Sequence, residues 1–358
     1  MVKNNRSKRY KVTATIDGKR KFFYGKTKVE AEEARAKYLE MIRLAPCLDD
    51  SITLGQWLAV WLRGAQSTLS ANTFESYKFE LRNYVLPYMA KRKLVELQPH
   101  MFRQLISKLL AKGYSNRTVE YSLAVVRIAL LQAVNDGIIP VSPMRGVKLP
   151  KKVKTQVEAL TKEEAQKLLS VIKNETHYAL YFVALHTGLR RSELLGLRIS
   201  DINVKKSTLS VNQTVLKINN KTIISKTTKN EASRRTITLD PQTLAVIRQQ
   251  IVRTYKNRMM KPDYQNNNLL FANPDGGPYD PKYISHTANK CGKLSELKHL
   301  SFHMLRHTHA TLLVQAGVHF KVIQARLGHS TFQQTMDTYS HVTPSIESDI
   351  VEKLQNLV

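Results

Sequence analysis

The chain has 358 residues, 42% of them hydrophobic, and carries 56 Lys and Arg against 28 Asp and Glu, a formal net charge of +28. Such a length gives two or three domains with at least one sizeable core, and such a charge points to a polyanionic partner, nucleic acid above all. Two distant cysteines (Cys47, Cys291), a charged N-terminus with no apolar run and a longest apolar stretch of only about 178–185 argue against a disulfide framework, a secretory signal and a membrane span. The expectation is a soluble protein of a reducing cytosol.

Segment 1–50 opens with dense Lys and Arg, and then Tyr10–Ile16 alternates as a strand does. Asp17-Gly18 is a hairpin turn signal, and Lys19–Tyr24 reads as the returning strand. Thr27-Lys28-Val29-Glu30 is a capping box opening a helix, whose apolar face is read as Val29, Ala34, Tyr38, Met41 and Ile42. The expected unit is a small sheet, three-stranded, against one helix. Lys19, Arg20 and Lys21, interleaved with aromatics, are candidate DNA contacts, because a basic sheet can enter a groove of duplex DNA.

Segment 52–147 reads as all-helical, a four-helix module. Thr53-Leu54-Gly55-Gln56 is a second capping box, followed by Leu54, Trp57, Leu58 and Trp61 at helical spacing. Ser70 caps a helix carrying Phe74, Tyr77, Leu81 and Tyr84, which is expected to stop near Pro87. Further helices fit Pro99–Ala111 and Ser115–Asp136. The aromatic stripe is read as core rather than as a base-stacking platform. Lys78, Arg82, Lys91, Arg92 and Lys93 are candidate phosphate contacts. Residues 148–157, with Lys151, Lys152 and flanking prolines, break every periodicity and read as a basic linker that could itself touch DNA.

Segment 158–358 is α+β. Thr161-Lys162-Glu163-Glu164 opens a helix; Leu209–Val215 and Thr222–Ile224 read as strands joined by a turn at Asn219-Asn220, and Thr236–Leu239 as another strand. The fold class is thus multidomain, mainly α with small β-sheets.

The chemistry-bearing residues lie in this last segment. In HTGLRRSELLGL, Gly188 permits a tight turn and Arg190 leaves it from a well-anchored helix start, suited to bidentate contact with a phosphate, with Glu193 placed to orient it. His303 and Arg306 stand at i, i+3 on one helical face. His303 and His307 have the i, i+4 spacing of a zinc pair, but Met304 stands where a zinc protease of that pattern carries Glu, so no metal is expected. Gly317 and Gly328 mark helix ends, which brings His329 out of a terminus; Tyr339 falls on a short helix with Phe332 and Met336.

Taken in order, Thr187-Gly188-Leu189-Arg190 with Ser192-Glu193-Leu194, His303-Met304-Leu305-Arg306-His307, Leu327-Gly328-His329 and Tyr339 in Thr338-Tyr339-Ser340-His341-Val342 resemble the motifs of the tyrosine recombinase (phage integrase) family. The resemblance covers roughly the last 200 residues strongly. Segment 52–147 resembles the family's core-binding domain and 1–50 its arm-binding domain, both more weakly. It implies a catalytic set of Arg190, His303, Arg306, His329 and the nucleophile Tyr339, with a hairpin lysine. Lys229 fits the spacing to the Ser-x-Arg-Thr-Ile strand, whereas Lys226 fits the Lys-Thr pairing. It also implies cutting and rejoining of double-stranded DNA through a 3′-phosphotyrosyl link without metal, cofactor or ATP. The family's core and arm sites, homotetramer on synapsed DNA, directionality factor and host DNA-bending protein follow as expected partners, in a bacterial cytoplasm, for a phage or conjugative transposon. A clamp of the middle and catalytic segments around core DNA is implied too. The C-terminal piece, with Ile346, Ile350, Leu354 and Val358 at helical spacing, would dock on a neighbouring protomer or on its own core. A type IB-like topoisomerase and a non-catalytic DNA-binding protein on the same scaffold are the alternatives.

Overall fold

The computed structural model describes residues 10–16, 19–43, 51–151, 159–218, 220–225 and 234–328. The chain forms two compact units, Met1–Lys154 and Thr155–Val358.

In the first unit, β1 (Tyr10–Ile16) and β2 (Lys19–Gly25) form an antiparallel hairpin registered from Tyr10 opposite Gly25 to Ile16 opposite Lys19. Among the described residues this sheet has two strands rather than the expected three. Thr27 caps the next helix two residues after β2 ends, its Oγ1 accepting from Glu30 N at 3.1 Å, which leaves no residues between hairpin and helix for a third strand. That helix, α1 (Lys28–Arg43), packs on both strands. Its buried contact is Ala31, while Val29 and Ala34, read as part of the apolar face, are exposed. The reason is the close approach at Gly25, where a Cβ would stand 2.5 Å from Ala31 N, so the first turn presses its Ala31 side onto the hairpin. The side chains of Tyr38, Met41 and Ile42 lie outside the described set.

The helical module follows. α2 (Leu54–Ala65) begins with the Thr53/Gln56 capping box and buries Leu54, Trp57, Leu58 and Trp61. Trp57 Nε1 donates to Ala129 O at 2.9 Å, so the indole is both packed and satisfied, as a core tryptophan requires. α3 (Ala71–Glu80) is capped by Ser70. The helix runs on from α3 through one π-helical turn, Leu81–Val85, into α4 (Leu86–Met89) and ends near Pro87, as expected. Leu86 N donates back to Leu81 O across the wide turn, and Pro87 falls at the start of the new segment, where its missing N–H costs nothing. α5 (Pro99–Ala111) and α6 (Asn116–Asn135) complete the module, with Ser115 capping α6.

The second unit is built round α8 (Tyr178–Thr187), preceded by α7 (Lys162–Val171), which opens on the Thr161/Glu164 box. Leu180 to Leu185 are all buried, so α8 is core on every side and shows no amphipathic period. α9 (Arg191–Gly196) follows. β3 (Ile202–Asn203), β4 (Thr208–Val211) and β7 (Arg235–Thr238) form one antiparallel sheet in the order β3-β4-β7, and β5 (Thr214–Ile218) pairs with β6 (Lys221–Ser225) in a separate hairpin. The single strand expected at Leu209–Val215 is therefore split between two sheets. Asn212 Nδ2 donates to Asp201 Oδ1 and Gln213 Nε2 to Gly196 O, both at 2.8 Å, and these side-chain bonds pin the crossover. Among the described residues the remaining α-helices are α10 (Pro241–Met260), α11 (Pro281–Leu294), α12 (Phe302–Gln315) and α13 (Phe320–Leu327); α12 packs on α8 and α13. Gly317, at φ +73°, lies just past α12, and no described helix is long and apolar enough to cross a membrane.

Candidate active site

The site starts from the end of α8. Gly188 closes the helix at φ +65°, and a Cβ on it would stand 2.7 Å from both His309 Cδ2 of α12 and Leu327 Cδ2 of α13. Only glycine satisfies both the left-handed backbone and that approach. The turn thereby brings α8, α12 and α13 to one point.

Arg190, two residues on, is the N-cap of α9. Its backbone N–H donates to Glu193 Oε2 (2.9 Å), its Nη1 to Glu193 Oε1 (2.8 Å), and its Nη2 to the carbonyl of Gly328 (2.8 Å). Arg306 projects from α12 and is 4% exposed. Its Nη1 donates to Gly188 O (2.8 Å) and its Nη2 to Leu327 O (2.7 Å). Both guanidinium groups are thus fixed in place by main-chain carbonyls. With His303, Ser192 and Ser301 they line one cavity of about 370 Å³. Two oriented cations and hydroxyl groups facing one cavity form a receptor for a tetrahedral oxyanion.

His303 and His307 place their Nε2 atoms 2.8 Å apart, so they share a proton as a hydrogen-bonded imidazole pair. Burial, then the charges of Arg306 and Arg190, push the His303 pKa below its usual value. Burial, then His303 and Arg306, push His307 down to about 4. Both rings are therefore neutral near pH 7, and His303 is able to take up a proton.

Two arginines escaped the sequence reading. The Arg235 side chain, 7% exposed, donates Nη2 to Glu193 Oε2 (3.0 Å), Nη1 to Glu193 Oε1 (3.2 Å) and Nε to Arg326 O (2.6 Å). Arg326 donates Nε to His309 Nε2 at 3.1 Å. The signal for Arg235 was its parity with Ile237, a core residue of the same strand, which turns the arginine inward. Glu193 is 3% exposed; burial alone would raise its pKa, but the hydrogen bonds and charge of Arg235, then Arg190, hold it below the usual carboxylate range.

His309 carries a prediction. It is 7% exposed, and burial, then Arg326, push its pKa down to about 3. The unfolded chain protonates this group at about 6.5, so the stability tied to neutral His309 is complete above that pH and is lost as pH falls below it. Between pH 6.5 and 5 the expected loss is roughly 2 kcal/mol. Thermal melts should show a steeper pH slope in this window for wild type than for His309→Gln, whose remaining slope comes from the other depressed histidines, His303 and His307 among them.

Arg190, Glu193, His303 and Arg306 are thus brought together. His329, Tyr339, Lys226 and Lys229 lie outside the described residues, as does the C-terminal piece. β6 ends at Ser225, immediately before Lys226, and Gly328 caps α13 at φ +67°, immediately before His329. Arg20, Lys21, Lys78, Arg82, Lys91, Arg92, Lys93 and Lys151 are exposed, and Lys11 Nζ stands 3.8 Å over the Phe22 ring. The Lys19 side chain and Lys152 lie outside the described set.

Comparison with known proteins places the chain in a family. The Phage integrase family model matches residues 158–345, and the model for the phage integrase N-terminal SAM-like domain matches 53–110. The chain belongs to the phage integrase family. It is similar to a tyrosine recombinase XerC-like protein of Caldanaerobacter subterraneus, with 29% identity over 99% of this chain and 98% of that one. Similarity to the integrase of Staphylococcus phage L54a is 27% over 85% of this chain and 92% of that one. Among solved structures, the Tn1549 transposon integrase in complex with transposon right end DNA shares the fold at TM-score 0.72 and 21% identity, over 85% of this chain and 100% of that one. A lambda integrase tetramer bound to a Holliday junction does so at TM-score 0.61 and 17% identity, over 92% and 94%. The chain is accordingly an enzyme, a tyrosine-type site-specific DNA recombinase. The topoisomerase and non-catalytic alternatives are not favoured.

Proposed function

We propose that this recombinase cuts and rejoins duplex DNA at the cavity between Arg190 and Arg306, to integrate and excise a mobile element. The observation that carries the reading is the pair of guanidinium groups, fixed by the carbonyls of Gly188, Leu327 and Gly328, on one cavity with His303. Each arginine binds a non-bridging oxygen of the scissile phosphate and neutralises charge as the pentacoordinate transition state forms. A preorganised donor of this kind contributes roughly 10²–10³ in rate.

Tyr339 supplies the nucleophile. Its phenolic oxygen forms the new bond to phosphorus and its proton passes to His303; the bond from phosphorus to the 5′ oxygen breaks, and that oxygen leaves with a proton from Lys229, or from Lys226 if that is the hairpin lysine. His329 donates to the phosphate. Attack by another 5′-hydroxyl reverses these steps, and since the phosphotyrosyl ester conserves the bond energy, no ATP is consumed. The three metal-free charges, two arginines and a lysine, supply the electrostatic stabilisation.

The division into an arm-binding piece (1–50), a helical core-binding piece (52–147), a basic linker (148–157) and a catalytic domain (158–358) belongs to this reading. So do DNA contacts by Lys19, Arg20, Lys21, Lys78, Arg82, Lys91, Arg92, Lys93, Lys151 and Lys152, a homotetramer on synapsed DNA, and work in the bacterial cytoplasm with a directionality factor or host DNA-bending protein. The structural neighbours bound to transposon right end DNA and, as a tetramer, to a Holliday junction support it. Two binding activities on one chain raise effective concentration in a synapse.

Two labelled duplexes carrying the core site test the reading. Joined product with exchanged flanks is expected. Relaxation of a supercoil with no joining of two duplexes under any condition would instead support topoisomerase chemistry.

A further inference from the structure

We propose that Arg235 is a positioning residue for strand transfer: it fixes Arg190 through Glu193 and fixes the end of α13 through the Arg326 carbonyl. This rests on the reading that Arg190 and Arg306 hold the scissile phosphate.

Three successive carbonyls at the end of α13 are each held by a different arginine. Arg326 O accepts from Arg235 Nε, Leu327 O from Arg306 Nη2, and Gly328 O from Arg190 Nη2. The last carbonyls of a helix have no partner within the helix and gather its negative dipole end, so three cations on them are favourable. The chain continues from this point to His329 and, ten residues later, to Tyr339.

The three arginines are not equivalent. Arg190 and Arg306 line the cavity, whereas Arg235 does not. Arg235 instead lies behind Glu193, bonding the same two carboxylate oxygens that Arg190 uses. A carboxylate held from behind by a bidentate guanidinium cannot rotate, and so fixes the rotamer of the arginine in front. β7 thereby reaches both sides of the clamp, the α9 side through Glu193 and the α13 side through Arg326 O. A lysine would keep the charge but could not make all three contacts.

The test separates charge stabilisation from general folding. Covalent-adduct formation is measured at saturating DNA on a suicide duplex with either a phosphate or a neutral methylphosphonate at the scissile position. Arg235→Gln is expected to slow adduct formation about 10- to 100-fold on the phosphate and less than about 3-fold on the methylphosphonate, because only the charged link needs a well-placed Arg190. Arg190→Ala should show the same dependence on substrate, with DNA affinity in Arg235→Gln little changed. If Arg235→Gln does not melt cooperatively, Arg235→Lys is measured in its place. Equal loss on both substrates for the Arg235 variant, while Arg190→Ala discriminates, overturns the positioning role alone. If Arg190→Ala itself fails to discriminate, the clamp reading falls and this inference with it.

Discussion

Arg306→Ala is expected to lower the rate of covalent-adduct formation by roughly 10²–10³ at saturating DNA. Arg306 is 4% exposed and lines the cavity, so its guanidinium already faces the site in a place where water competes poorly. Its loss also uncovers the carbonyls of Gly188 and Leu327, which join the ends of α8 and α13. Each uncovered buried acceptor costs about 1–3 kcal/mol, so a lower melting temperature should accompany the slower chemistry. Arg306→Lys should recover part of the stability and little of the rate, because one ammonium cannot span both carbonyls and a phosphate oxygen. Single-turnover kinetics beside thermal melts separate the two effects.

Glu193→Ala is expected to destabilise the second unit by about 3–5 kcal/mol, the usual consequence of removing one partner from a buried ion pair. Glu193 is 3% exposed and the Arg235 side chain behind it 7%, so the deletion leaves a buried cation without its carboxylate. The contact to Arg190 contributes less to stability, since that arginine's side chain is 37% exposed, but more to activity, since it sets where Arg190 points. The pH signature differs from that of His309. A carboxylate whose folded pKa is held below 4.5 contributes stability that is present above 4.5 and is lost as pH falls through the lower folded value. Wild type and Glu193→Ala should therefore converge in stability only below about pH 4.5, whereas the His309 slope begins at about 6.5. Chemical denaturation from pH 7 to 3 resolves both windows.

Much of this arrangement was legible in the sequence because it depends on local rules. Capping boxes at Thr53 and Thr161 placed two helix starts, Gly188 and Gly328 marked helix ends, and the i, i+3 spacing put His303 and Arg306 on one face. What escaped depends on long-range contacts. The split of Leu209–Val215 into two sheets is set by Asn212 and Gln213 reaching back to Asp201 and Gly196. The π turn ahead of Pro87 shifts the donor partner by one residue, which no propensity reports. Strand parity turns Arg235 inward with Ile237, but the partners it meets there, Glu193 of α9 and the Arg326 carbonyl of α13, come from distant parts of the chain. The hydrogen bond between His303 and His307 depends on ring orientation, which the i, i+4 spacing alone does not carry.

The central claim is that Tyr339 becomes covalently joined to DNA at the Arg190–Arg306 site. A suicide duplex carrying the core site, nicked so that the fragment bearing the freed 5′-hydroxyl diffuses away, should trap the wild-type adduct. Peptide mapping of that adduct should place a 3′-phosphonucleotide on Tyr339, and Tyr339→Phe should bind the duplex yet form none. An adduct mapped to any other residue, or one that persists in Tyr339→Phe, would contradict the account.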